Sequence, residues 1–203
     1  MTEQTTFAPE RLRAFVDAVV AIAMTLLILP LLESVSDAAT DGTATGAFLV
    51  EHRGQIVSFV LSFVLIALFW MEHHRQYERV LRVSNPLLYI NVAWMLTIVW
   101  LPVPTAMLGQ MDTDPLQAVL YIGTLILTQA TTLAGKLYLM RHPELIDLTP
   151  ERLRRGAIGD IAAIILFCVA LPIAAWVHVV GYFALLLLAF STPVEKLLDR
   201  LRR

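Results

Sequence analysis

Four side chains capable of chemistry interrupt otherwise apolar sequence: Asp17, the adjacent pair His73 and His74, and Asp160. Paired histidines raise the question of a metal. Neighbouring residues on a helix, however, point about 100° apart. No Cys or third His lies nearby in sequence to complete a tetrahedral set, so no metal site is expected. A proton relay through Asp17, His73 and Asp160 is conceivable, because ionisable groups at membrane depth can mark proton paths. Paired or solvated end groups explain the same residues more simply. Arg13 stands four residues before Asp17, the spacing of a helical ion pair, and a carboxylate near a helix start also gains from the helix dipole. Nothing resembles a serine-hydrolase, zinc-protease or cofactor motif or a glycine-rich phosphate loop, so neither enzymatic activity nor a cofactor is expected. Cys168 stands alone in an apolar run and reads as a small buried hydrophobe.

Apolar spacing is as informative as the polar residues. Ile22, Leu26 and Leu29, at relative positions 0, 4 and 7, share one helix face. Ala14, Ala18, Ala21 and Thr25 line a neighbouring face and permit close helix approach. By itself, such a pattern describes a packing stripe as well as it describes a lined path. Further on, Thr124, Thr128, Gln129, Thr131 and Thr132 supply groups that can bond between helices. Tyr89, Trp94 and Trp100 fit either interface anchors or packed rings.

The elements that carry these residues are membrane spans. Of the 203 residues, 58% are hydrophobic and 16% charged, against roughly 45–50% apolar in soluble domains; mean hydropathy is +0.70. Stretches 54–71, 83–111, 115–135 and 161–194 contain no Asp, Glu, Lys or Arg, which marks spans rather than soluble core helices. As a single helix the last stretch would extend about 51 Å, well beyond a hydrocarbon core of about 30 Å. Pro172, Trp176 and His178 offer an interfacial turn that divides it. The expected fold is therefore an all-α polytopic membrane protein, one domain over 1–203, with spans at 12–32, 54–75, 85–108, 116–139, 156–171 and 177–192. Six spans with the N-terminus inside place every basic residue except Arg53, of the 15 present, on the inner side. Five spans would put the basic tail opposite the Arg152–Arg155 cluster. Both termini are thus expected in the cytoplasm, with the protein multi-pass in a cell inner or plasma membrane. The stretch 33–51 lacks strong periodicity and reads as a loose outer loop. No cleavable signal peptide is expected, and a formal charge of −2 gives no sign of nucleic acid.

The run from Arg11 to Leu27, with Phe15, Asp17, Ala21-Ile22 and Thr25-Leu26, resembles the first-helix signature of the transmembrane protein 175 family. Phe69-Trp70 followed by His73-His74, Asn91, and Leu101-Pro102-Val103-Pro104-Thr105 continue the resemblance. It covers most of the chain and is strongest over the first three spans. The resemblance implies a potassium-permeable channel: one six-span unit per chain, a homotetramer, and the first helix lining a central pore. The positions five, nine and twelve after Asp17 would form stacked apolar constrictions, here Ile22, Leu26 and Leu29, with Thr25 as the adjacent polar position. An inner-end network of Arg13, Asp17, His73, Asn91 and Trp94 is implied as well. Val16 replaces the signature serine and removes a hydroxyl from that network.

An apolar ring can gate by dewetting. It can also favour potassium over sodium, because the larger ion loses its water at lower cost. The expected function is a potassium-favouring cation channel, with potassium and related monovalent cations, the bilayer and further copies of the chain as partners. A secondary transporter, proton-coupled through Asp17 or His73, is the first alternative, although no repeat of the first span is evident later in the chain. A structural membrane protein without ion flux is the second.

Overall fold

The computed structural model describes residues 8–112 and 114–176. The described residues form eight α-helices: α1 (Pro9–Leu26), α2 (Leu29–Thr40), α3 (Thr45–Glu51), α4 (Arg53–Tyr77), α5 (Asn85–Trp100), α6 (Pro102–Gln110), α7 (Pro115–Arg141) and α8 (Pro150–Trp176). Proline occupies the first turn of α1, α2, α5, α6 and α7 and opens α8. At the free starts of α1, α5, α7 and α8 its missing N–H has no helical partner to lose. Asp114 caps α7 by accepting from the Gln117 amide at 3.0 Å.

Taking α1 with α2 and α5 with α6, five helical stretches are long and apolar enough to cross a membrane. The sixth expected span, 177–192, lies outside the described residues. Two expectations need correction. The fifth span does not end at 171: α8 starts at Pro150 and runs through Pro172 to Trp176. A proline removes a single backbone bond, and in an apolar setting the remaining backbone groups have no better partners than the helix itself. Nor is 33–51 a loose loop. α2 continues to Thr40, Gly42 turns the chain at φ 68°, and α3 follows. The Ala-rich composition that weakened the periodicity also suits a helix.

Prolines break two of the five rods without stopping them. Pro102 cannot donate to the Ile98 carbonyl, which accepts from the Leu101 amide instead at 3.2 Å. At the α1–α2 junction, Leu27 (φ −59°, ψ −27°) and Ile28 (φ −81°, ψ −18°) both stay right-handed helical. The Ile28 amide bonds the Thr25 carbonyl there, so the rod tightens locally and carries on.

α1 packs on α4 and α5, α4 on α6, α5 on α7, and α7 on α8. Trp94, Ile66, Leu87, Ile98, Tyr121, Leu125 and Phe167 fill the interior. Polar bonds join helices where water is scarce. The Ser62 hydroxyl lies 2.8 Å from Tyr121 Oη and accepts from Thr105 Oγ1, also at 2.8 Å. Thr128 Oγ1 donates to Thr97 Oγ1 at 2.9 Å. α6 approaches α4 at Gly109, where an added Cβ would come within 2.7 Å of Ser58 Oγ and 2.9 Å of Gln55 Cα. At the end of the bundle carrying most of the arginines, the α4–α5 and α7–α8 connections meet. The Leu81 amide donates to the Leu145 carbonyl at 2.8 Å, and Asp147 N to Arg79 O at 2.9 Å.

Candidate pore face and its supporting network

Along α1, Leu12, Val16, Val20 and Ala23 are buried, as is Leu27 at the junction with α2. Their spacings of three and four make one continuous protein-facing stripe. Ile22, Leu26 and Leu29 point away from it, with 60%, 38% and 47% of their surfaces exposed. This face is apolar, carries no ionised group, and is uncovered in the single chain. Thr25 is also exposed, but its hydroxyl donates to the Ile22 carbonyl at 2.8 Å. That bond ties Thr25 to its own helix.

What holds the orientation of α1 sits at its first turns. Trp70 of α4 donates its indole N–H to Asp17 Oδ1 at 2.7 Å. The expected Arg13–Asp17 pair does not form. Helical side chains lean toward the N-terminus, and Arg13 leans that way, 3.2 Å from both Glu10 Oε1 and the Glu78 carbonyl. His73, also on α4, bonds Asn91 Oδ1 on α5 through Nε2 at 2.8 Å, and both residues are buried. Asn91 Nδ2 in turn donates to the Leu87 carbonyl at 2.8 Å. The His73 ring lies between Trp94 and Tyr77, with centroids 4.2 and 4.3 Å away. The expected network is therefore three local units: Asp17 with Trp70, His73 with Asn91 and Trp94, and Arg13 with the α4–α5 connection.

A second polar cluster lies on the far side of α4. Lys136 of α7 donates to Glu72 Oε1 at 2.6 Å and to Asp160 Oδ1 of α8 at 2.9 Å. Gln129 Nε2 adds a bond to the same Asp160 oxygen at 2.8 Å. The Lys136 and Asp160 side chains are only 5% and 3% exposed, and Glu72 is 38% exposed. Gly156 makes room for the lysine, since an added Cβ there would stand 3.1 Å from Nζ. Asp17, His73 and Asp160 thus close on different partners, and no direct hydrogen bond links them into a relay. Sequence reasoning placed Lys136 at the inner boundary and did not connect it to Asp160. Trp70 was visible only as part of the resemblance. Among the described residues, no group of three His, Cys, Asp or Glu side chains could hold a metal ion.

The family described as endosomal/lysosomal potassium channel TMEM175 matches residues 11–102, the stretch that contains α1, the Trp70 and His73 contacts and Asn91. The match takes in 92 of the 203 residues, a little under half of the chain. A potassium channel of Streptomyces collinus is 36% identical over 100 residues, covering 49% of this chain and 47% of that protein. A potassium channel of Chamaesiphon minutus is 30% identical over 100 residues, covering 49% of each. The chain spans about half the length of the curated relatives it matches. The crystal structure of a lysosomal potassium-selective channel TMEM175 homolog from Chamaesiphon minutus shares the fold, with TM-score 0.63 and 22% identity over 92% of this chain and 97% of that one. Within the stretch that matches this family, the Trp70–Asp17 bond and the buried stripe present the Ile22, Leu26 and Leu29 face outward.

Proposed function

We propose that this protein is a potassium-favouring cation channel. In this reading it is a homotetramer of six-span chains, each a single domain with both termini cytoplasmic, and α1 lines a central pore. One observation carries the reading: the face of the α1–α2 rod turned away from the buried stripe is apolar, uncharged and exposed over successive turns at Ile22, Leu26 and Leu29. Four-fold symmetry turns each of these positions into a ring. The match of residues 11–102 to the TMEM175 family and the potassium channels among the similar proteins support the same conclusion.

Apolar rings exclude water when narrow and open to a hydrated path when wide. They offer an ion no ligands, so discrimination rests on the cost of partial dehydration, which is smaller for potassium than for sodium. A filter of this kind discriminates modestly. Potassium is the permeant ion, and the mechanism needs no cofactor. Asp17, Trp70, His73, Asn91 and Trp94 act as the frame that sets the rotation of α1.

Reconstitution in planar bilayers under bi-ionic potassium and sodium conditions tests the reading. Wild type should carry a cation current reversing on the potassium-favouring side. Leu26→Ser should shift the reversal potential toward zero. Leu27→Ala, at a buried position, should lower tetramer yield and leave selectivity unchanged. A protein verified as assembled that passes no cation current would defeat the proposal.

A further inference from the structure

The rod formed by α1 and α2 is longer than its apolar part, and its helical phase survives the break at Leu27–Ile28, where both residues remain right-handed helical. The Leu32 amide bonds the Ile28 carbonyl at 3.0 Å, so helical bonding resumes at once. The protein-facing stripe continues across the junction from Leu27 to Ser34, which is also buried. Ser34 locks the rotation of α2. Its hydroxyl lies 2.9 Å from Gln55 Oε1 of α4 and 3.1 Å from the Pro30 carbonyl.

With that phase retained, Glu33 follows Ile22, Leu26 and Leu29 by eleven, seven and four residues. At 3.6 residues per turn it lies within about 40° of each of them around the helix. Glu33 is exposed, adjoins the Ser34 anchor, and has no ion-pair partner among the described residues. The face that is apolar through Leu29 therefore becomes anionic one turn later, at the end of the bundle opposite Arg13.

We propose that Glu33 determines cation throughput by forming a ring of carboxylates at the outer mouth of the pore, beyond the apolar constriction. This rests on the channel reading above. Four symmetry-related carboxylates concentrate cations and repel anions at the entrance, as acidic rings do in cation channels. Their field acts on charge rather than hydration. It should raise the rate of entry without setting the preference for potassium over sodium. Screening limits its reach to a Debye length of about 10 Å at 0.1 M salt and about 3 Å at 1 M.

Single-channel recording of Glu33→Gln tests the assignment, with Glu51→Gln as the control. Glu51 is an exposed acid on α3, off the rod. At ionic strength near 0.02 M, Glu33→Gln should reduce current entering from the outer side roughly two-fold, and the loss should fade toward 1 M as screening takes over. The reversal potential under bi-ionic conditions should stay at the wild-type value, and Glu51→Gln should conduct as wild type. As a second measurement, Glu33→Cys should lose current when a positively charged methanethiosulfonate caps its thiol from the outer side, and in a separate sample a negatively charged reagent on the free thiol should raise the current toward wild type. Equal low-salt conductance of wild type and Glu33→Gln overturns the assignment and leaves the channel intact. A loss that persists at 1 M, or an equal loss in Glu51→Gln, also overturns it. Absence of current in wild type removes the channel reading and this inference together.

Discussion

Replacing Lys136 by Met tests what the buried cluster contributes to the bundle. The ammonium serves two carboxylates, at 2.6 Å from Glu72 and 2.9 Å from Asp160. Their losses are unequal. Glu72 is 38% exposed and can turn toward solvent, so its half of the cluster behaves like a surface pair worth about 1 kcal/mol or less. Asp160 is 3% exposed. Without Lys136 it keeps only the Gln129 amide on Oδ1, and its Oδ2 has no hydrogen-bond partner. Leaving a buried charge unpaired costs about 3–5 kcal/mol, which a chain of this size reads as a fall in Tm of roughly 2–4 °C per kcal/mol. Lys136→Met should therefore melt about 10 °C below wild type in detergent, followed by intrinsic fluorescence or by loss of the native size-exclusion peak. Asp160→Asn keeps an acceptor for Lys136 and Gln129 and should cost about 1 kcal/mol. The decisive variant is the double mutant, Lys136→Met with Asp160→Asn, which removes the uncompensated charge. It should be more stable than Lys136→Met alone. A double mutant no more stable than the single would show that the cost does not arise from an unpaired Asp160.

Two further outcomes follow from the geometry. Trp70→Phe removes the donor to Asp17 at 2.7 Å while retaining an aromatic ring; it should cost about 1.5–3 kcal/mol, as for a hydrogen bond to a charged group, and an unchanged thermal midpoint would mean that Asp17 is held in another way. In a Cys168→Ala background, Ala44→Cys and Glu144→Cys, both at exposed positions, should label with a membrane-impermeant maleimide from opposite sides of the membrane, and labelling from one side would overturn the topology.

The sequence alone determined that the described chain is a set of long apolar helices, because the spacing between charged groups exceeds what a soluble core helix uses. It also determined where Ile22, Leu26 and Leu29 lie relative to one another, because the helical repeat fixes angles within one element. The limits of that reading are physical too. Composition could not distinguish a loose 33–51 stretch from α2 and α3, since Ala, Thr and Ser serve both. Pro172 read as a break because local propensity does not register that an apolar environment keeps the remaining helix bonds in place. Partner choice across helices was the least legible. Arg13 and Asp17 have the spacing of a pair, yet Trp70, 53 residues from Asp17 in sequence, takes the carboxylate. Lys136 and Asp160 looked like separate boundary charges until α7 and α8 packed and buried both. Within a helix the sequence sets direction through a fixed rotation per residue. Which faces meet depends on how several helices fill space together, so only the tertiary structure turned Lys136, Asp160 and Glu72 into one cluster and left the Ile22, Leu26 and Leu29 face uncovered.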